Sequence, residues 1–272
     1  MKLSIITINK NNALGLERTC QSVICQTFDD FEWLVIDGAS SDNSCEIIKK
    51  YDKKIAYWIS EPDTGVYNAM NKGIQQAKGD YCLFLNSGDW LYSLDSLSKA
   101  FDIIKDLDEA DIYYSDCISD YSDFWEMPQK LSIDDLYLAK ALSHQNTFIK
   151  RSLFFEHGFY DENFCTISDS IFMVKEYWLY HSIFIYINTI ISVYAYGGIS
   201  ITYKNAKKEL HEQVKNIMGD SEFNILIKRI NKNIRLWEIS KKIIKKIIIY
   251  YLLPYGFYKL YLSLKNTLSK KT

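Results

Sequence analysis

Residues 60–89, SEPDTGVYNAMNKGIQQAKGDYCLFLNSGD, constrain the chain more than any other stretch, because they read as a loop, a helix, a buried strand and an acidic stop. Val66, Met70, Ile74 and Ala77 recur at three- and four-residue steps, which predicts a helix with Lys78 in its last turn and Gly79 as its terminator. Tyr81 to Leu85 form an apolar run without polar alternation, the pattern of a strand covered on both faces and central in a parallel sheet. Asn86, Ser87, Gly88 and Asp89 follow directly. Open α/β sheets bind ligands in the crevice beyond the carboxyl ends of their strands, so this turn points at a ligand. A carboxylate there can hold a divalent cation through oxygen, and the cation can neutralise a diphosphate. The same residue types make ordinary turns, and the turn alone does not separate the two readings.

The preceding segments repeat the plan. Leu3 to Ile8 predict a first strand ending in the polar run Asn9 to Asn12, and a helix follows with Leu14, Val23 and Ile24 among its apolar positions. A second strand, Trp33 to Ile36, stops at Asp37 and leads through Gly38 to Asp42 into a helix over Ile47 and Ile48. A third, Ile55 to Ile59, runs into Glu61, Pro62 and Asp63. Alternating strands and helices predict an α/β fold with a doubly wound, mostly parallel central sheet, whose strand ends deliver polar groups to one edge. An acid at the end of the second strand can accept hydrogen bonds from a ribose or a base edge. The glycine-rich fingerprint of dinucleotide folds is absent, which disfavours a dehydrogenase and leaves phosphate capture to metal and side chains. A sugar nucleotidyltransferase would want a glycine-rich, basic loop after the first strand, and Asn9 to Asn12 supply neither glycine nor arginine.

With 272 residues and 48% hydrophobic content the chain can bury a full core, as one large domain or one domain with an appendage. Six scattered cysteines form no C-x-x-C pair and no zinc spacing, so they read as buried thiols in a reducing compartment. The amino end has too short an apolar core for a signal peptide, and no run approaches the roughly eighteen residues of a spanning helix, so the expected location is the cytoplasm. Charge is unevenly spread: residues 228–272 hold twelve Lys or Arg against the single acid Glu238, a charge of +11 that leaves −13 for residues 1–227. Such a split suggests contact with an anionic surface.

From Leu236 to about Tyr251 a helical wheel places Leu236, Ile239, Ile243, Ile244, Ile247 and Ile248 opposite Lys241, Lys242, Lys245 and Lys246, with Ile249 on the wrong face. Pro254 breaks that helix, and tyrosines beyond it have interfacial character. Residues 236–262 therefore read as a segment lying peripherally in the inner face of the cell membrane, with docking on the chain's own body or on a partner subunit as the other reading. No nucleic-acid partner is expected, because no reading motif accompanies the charge.

SIITINKNN at 4–12, VIDGASSDNS at 35–44, the run from Tyr57 to Asp89, LSHQNTFIKRSLF at 142–154, ISDSIF at 167–172 and GGIS at 197–200 together resemble the inverting glycosyltransferase family 2, including bacterial O-antigen and capsule transferases. The resemblance implies a GT-A fold over residues 1–204, with a nucleotide-sugar half at 1–89, an acceptor half at 90–204, and a basic helical extension at 205–272. It implies a nucleotide-sugar donor, with a UDP-sugar favoured, Mg²⁺ or Mn²⁺ as cofactor, and a lipid-linked or polysaccharide acceptor in bacterial surface glycan synthesis. Asp37 would meet the base, the loop after the first strand with Asn9 would help enclose it, Thr7 and Gly38 would also bind the donor, and Asp63, Asn71 and Lys72 would shape its pocket. Asn86 and Ser87 would touch ribose or sugar, and Asp89 would hold the metal. The family's first acids are missing from this turn. Asp169 matches the carboxylate that takes the acceptor's proton, while His144 and Gln145 would lie near the diphosphate or acceptor. Ser168 and Asp169 could also simply cap a helix, a role compatible with that of a base. A nucleotide-sugar-binding module without turnover is the rival suggested by the weakened acid motif.

Overall fold

The computed structural model describes residues 2–120, 124–125, 127–138, 142–195 and 205–247, and the chain divides into two compact units at Met218 and Gly219. The first unit opens with β1 (Leu3–Asn9), α1 (Ala13–Ile24), β2 (Phe31–Asp37), α2 (Ser44–Tyr51), β3 (Tyr57–Ser60), α3 (Val66–Gln76) and β4 (Tyr81–Phe84). Their strands lie parallel in the order β3-β2-β1-β4, the doubly wound arrangement expected from the alternation. Seven consecutive buried residues in β1 show why it reads as apolar throughout: both of its faces are covered. On one face Leu3, Ile5, Trp33 and Val35 join Leu16, Cys20 and Val23 of α1. On the other Ile6 and Ile36 meet α3 so closely that a Cβ on Gly73 would fall 2.4 Å from Ile6 Cγ2. Each such fully buried aliphatic side chain contributes about 1.5–3 kcal/mol.

The chain continues through β5 (Trp90–Leu91), α4 (Ser96–Ile104), β6 (Ile112–Ser119), β7 (Phe124–Trp125), α5 (Ile133–Tyr137), β8 (Thr147–Lys150), α6 (Arg151–Glu156), α7 (Ser168–Trp178), β9 (Phe184–Tyr194) and α8 (Ala206–Met218). The sheet extends as β4-β8-β6-β9-β5, with β7 beside β6. Here it becomes mixed, because β8 runs antiparallel to both β4 and β6 while β9 is parallel to β6. As a result β8 begins, rather than ends, at the edge where β1 to β4 finish.

Three local expectations need correction. α3 stops at Gln76 and Ala77 is already extended, so Lys78 lies outside the helix. Gly79 is required by β1 instead: its N–H donates to Ser4 Oγ at 2.8 Å, and a Cβ there would lie 2.6 Å from the Leu3 carbonyl carbon. Leu14, expected on the apolar face of α1, is 89% exposed, and Leu16 takes the inward position. Of the six free cysteines Cys20, Cys82 and Cys117 are buried, whereas Cys25 and Cys165 are exposed.

The described part of the second unit is α9 (Asp220–Ile247). Most side chains of the predicted amphipathic face, and all of Pro254 to Leu262, lie outside the described residues. Among the described residues no helix is long and apolar enough to cross a membrane.

Candidate active site

Asn9, Asp37 and Ser60 close β1, β2 and β3 side by side, and the Asp37 carboxylate binds them together. Oδ1 accepts from Asn9 Nδ2 at 2.7 Å and Ser40 Oγ at 2.6 Å, and Oδ2 accepts from the Ser40 N–H at 2.9 Å and Ser60 Oγ at 2.7 Å. Burial alone would raise its pKa, but the hydrogen bonds from Ser40, Ser60 and Asn9 outweigh burial and hold it below the usual carboxylate range. These four bonds match the roughly four acceptor positions of a carboxylate, so any ligand that bonds Asp37 must displace one of them. The loop beyond carries Ala39 at φ 56°, a left-handed conformation uncommon for a residue with a side chain, which aims Ser40 back at the strand ends.

Gly38 sits under Asp63, whose Oδ2 would be 2.0 Å from any Cβ, and Lys10 Nζ reaches Asp63 Oδ1 at 3.4 Å. Lys72 holds the same loop from α3, bonding the Pro62 carbonyl at 3.1 Å and Glu61 at 2.7 Å. Thr7 and Asn71 are spent internally. Thr7 is fully buried and accepts from Trp33 Nε1 at 3.0 Å. Asn71 brackets the backbone of Tyr160, donating to its carbonyl at 2.8 Å and accepting from its N–H at 3.1 Å, and also bonds Glu162.

On the other side of β4 the turn Asn86 to Asp89 meets the start of β8. Asn86 Nδ2 and His144 Nε2 are 2.9 Å apart, and His144 Nδ1 lies 3.3 Å from Asp169 Oδ2. The second Asp169 oxygen accepts from the Tyr67 hydroxyl at 2.8 Å. Asp169 stands in the first turn of α7 and makes no side-chain cap there. Burial works against ionising either partner, yet each ends favoured in its charged form: Asp169 is lowered by His144 and Tyr67, and His144 is raised by Asp169 and Asp89. Asn86 Oδ1 is buried without a partner among the described residues. As placed, Asn86 Nδ2 can donate only to an unprotonated Nε2; an imidazolium, donating from both nitrogens, requires the Asn86 amide to turn so that its unpartnered Oδ1 faces Nε2.

Asp89 differs. It is 5% exposed, one oxygen accepts from the Ala195 N–H at 2.8 Å, and burial pushes its carboxyl up to about 6 against the pull of His144. Its carbonyl accepts from Thr19 Oγ1 at 2.6 Å, and Asn12 donates to the Ser87 carbonyl at 2.9 Å, so the turn is pinned from α1. Gln145 is buried, with Oε1 unpartnered among the described residues. Among the described residues no group of three or more His, Cys, Asp or Glu could enclose a metal. The single Asp89 carboxylate is of the kind that would hold Mg²⁺ or Mn²⁺ shared with a substrate's phosphates, since such ions commonly take one or two protein carboxylates. A raised, buried carboxyl is also one that a cation would hold ionised.

The profile of Glycosyl transferase family 2 matches residues 4–174, which include Asp37, the Asn86–Asp89 turn, His144 and Asp169. The chain belongs to that family. A PGL/p-HBAD biosynthesis glycosyltransferase of Mycobacterium bovis is 29% identical over 203 residues, spanning 73% of this chain and 79% of the relative. S. aureus TarS 1-349, solved in complex with UDP-GlcNAc, superposes with a TM-score of 0.68 at 17% identity over 85% of this chain and 71% of that one. The mannosyltransferase PcManGT of Pyrobaculum calidifontis, solved with GDP-Man and Mn²⁺, gives 0.56 at 16% identity, covering 78% of this chain and 60% of that one. These neighbours share the GT-A fold with this family 2 glycosyltransferase. Tyr67, Ser40, Ser60, Thr19 and Asn12 are the contributors the sequence did not single out, and Tyr67 was hidden because an aromatic in an amphipathic helix reads as core. The GGIS motif at 197–200 lies outside the described residues.

Proposed function

We propose that this chain is an inverting glycosyltransferase that moves a sugar from a nucleotide-diphosphate donor, a UDP-sugar before others, to a hydroxyl of a lipid-linked or polysaccharide acceptor in bacterial surface glycan synthesis. The observation that carries the reading is the linked set Asn86, His144 and Asp169, which joins the strand-end turn to an ionised, half-enclosed carboxylate. The UDP-GlcNAc complex of TarS supports the donor class.

Asp169 would accept the acceptor's hydroxyl proton as that oxygen forms its bond to the anomeric carbon. The bond from that carbon to the diphosphate breaks on the opposite face, so configuration inverts and the nucleoside diphosphate leaves with the electron pair. A carboxylate held this acidic is a weak base, so the proton moves late, as the sugar bond forms. His144 keeps the Asp169 carboxylate oriented and places positive charge beside the turn. Asp89, with the donor's own phosphates, is the residue that would hold Mg²⁺ or Mn²⁺, which when bound offsets charge developing on the leaving diphosphate.

The test is a screen of purified protein with UDP-, GDP- and dTDP-sugars, with Mn²⁺ or Mg²⁺ and a glycolipid acceptor. Wild type is expected to release one nucleoside diphosphate and form a product of inverted anomeric configuration. Asp169→Asn should lose about 10²–10⁴-fold in transfer, the usual share of a general base, with donor affinity unchanged. Transfer within threefold of wild type in that variant would refute the base assignment. Binding without release under every condition favours a non-catalytic module, the reading suggested by the missing first acids of the Asn86–Asp89 turn. The basic segment 236–262 would hold the enzyme on the inner membrane face, which co-sedimentation of the full chain with anionic vesicles tests.

A further inference from the structure

α3 touches both sides of the site. Near its carboxyl end Lys72 grips the donor-side loop at the Pro62 carbonyl, Asn71 brackets Tyr160, and at its start Tyr67 reaches across to the base. Tyr67 is 4% exposed, and its ring packs at 5.5 Å from that of Tyr160, so the hydroxyl is aimed by buried packing rather than by solvent. We propose that Tyr67 is a positioning residue for the base, its hydroxyl 2.8 Å from Asp169 Oδ1 fixing the carboxylate in register with the donor-side loop. This rests on the reading of Asp169 as the base.

His144 and the Ser170 backbone N–H act on this carboxylate too, but only the Tyr67 hydroxyl bonds its Oδ1 from another side chain. Bonded at both oxygens, it presents one orientation to the acceptor. Because α3 also carries the grip on Pro62, the base is set against the loop expected to shape the donor pocket, over a sequence separation of 102 residues. The bond has a second effect: a donor to the ionised form favours that form, so its loss makes Asp169 harder to deprotonate. The groups facing Asp169 are the His144 imidazole, the Tyr67 hydroxyl, the Ser170 backbone N–H and the Tyr160 hydroxyl, with Asp89 acting on the imidazole.

The experiment compares Tyr67→Phe with wild type and Asp169→Asn, measuring transfer against pH, donor KM and thermal unfolding. The phenylalanine keeps the ring packing and removes only the hydroxyl. The expected result is a kcat for transfer lowered about ten- to a hundredfold, as for a displaced reacting group, with donor KM unchanged and the acid limb of the pH profile moved to higher pH. Wild-type kcat and an unmoved limb overturn the proposal while leaving the base reading intact if Asp169→Asn is inactive. A fall in kcat accompanied only by a lower melting temperature, with the limb in place, overturns it in favour of a structural role. An active Asp169→Asn removes the base reading and this proposal with it.

Discussion

Asp37→Asn keeps the shape of the residue that ties β1, β2 and β3 together, removes its charge and turns one accepting oxygen into a donating amide. The side chain is fully buried and accepts four hydrogen bonds, from Asn9 Nδ2, Ser40 Oγ, the Ser40 N–H and Ser60 Oγ. Bonds to an ionised acceptor contribute about 1.5–3 kcal/mol each and neutral ones about 0.5–1.5, so weakening all four sets an upper bound near 6 kcal/mol. Some of that is recovered. The serine hydroxyls can turn to accept, and Asn9 can rotate its unpartnered Oδ1 towards the new amide, whereas the Ser40 N–H cannot adapt. The expected loss is about 2–4 kcal/mol, which for a domain of this size corresponds to a melting temperature lower by about 4–16 °C.

The sign of the pH dependence is fixed by the direction of the shift. Asp37 is more acidic folded than unfolded, so its contribution is present above the unfolded value of about 3.9 and is lost as pH falls through the folded value. Urea unfolding followed by circular dichroism should therefore give a gap between wild type and variant that is constant from about pH 8 to 5 and narrows below about pH 4. A gap under about 0.5 kcal/mol at pH 7, or one that persists in acid, refutes the reasoning, since the stabilisation would not come from the charge.

Gly79→Ala should destabilise by about 1–3 kcal/mol, because the new methyl meets the β1 backbone and not a movable side chain; an unchanged urea midpoint would show that β1 can step aside. Asp89→Ala, or chelation of divalent ions in wild type, should lower nucleoside diphosphate release by about a hundredfold or more, given the several kcal/mol of charge stabilisation at stake. A full rate in chelator would rule the metal out.

The parallel half of the sheet was legible because its signals are local. Apolar runs of four to seven residues end in Asn9, Asp37 and Asn86, and nothing but the chain's own alternation is needed to place them at one edge. The mixed half was not legible, because the direction of β8 depends on pairing with β4 and β6 and leaves no mark within Thr147–Lys150. The candidate site follows the same division. Position alone puts the strand-end residues at one edge, whereas Tyr67 reads as part of the apolar stripe of α3, and Ser40 and Ser60 read as ordinary loop serines until their bonds to Asp37 are seen. Gly79 shows the converse error. A glycine after a helix reads as its terminator, and only the approach of β1 shows that the missing Cβ is needed for packing.

The reversed strand also sets an order of assembly. β1 pairs with β2 across 28 residues, Leu3 to Phe31, whereas β4 pairs with β8 across 69, Tyr81 to Lys150. Longer closures cost more chain entropy before any contact offsets it, so the β1–β2 pairing forms with the smaller delay. His144 and Asp169 arrive only once β8 has slotted between β4 and β6 and the chain has crossed back through α6. A chain still emerging, folded as far as β4, would thus hold the Asp37 clamp and the Glu61–Asp63 loop before His144 and Asp169 are in place. Pulsed hydrogen exchange during refolding would show β1 amides protected before those of β8, and simultaneous protection would mean that the two halves condense as one.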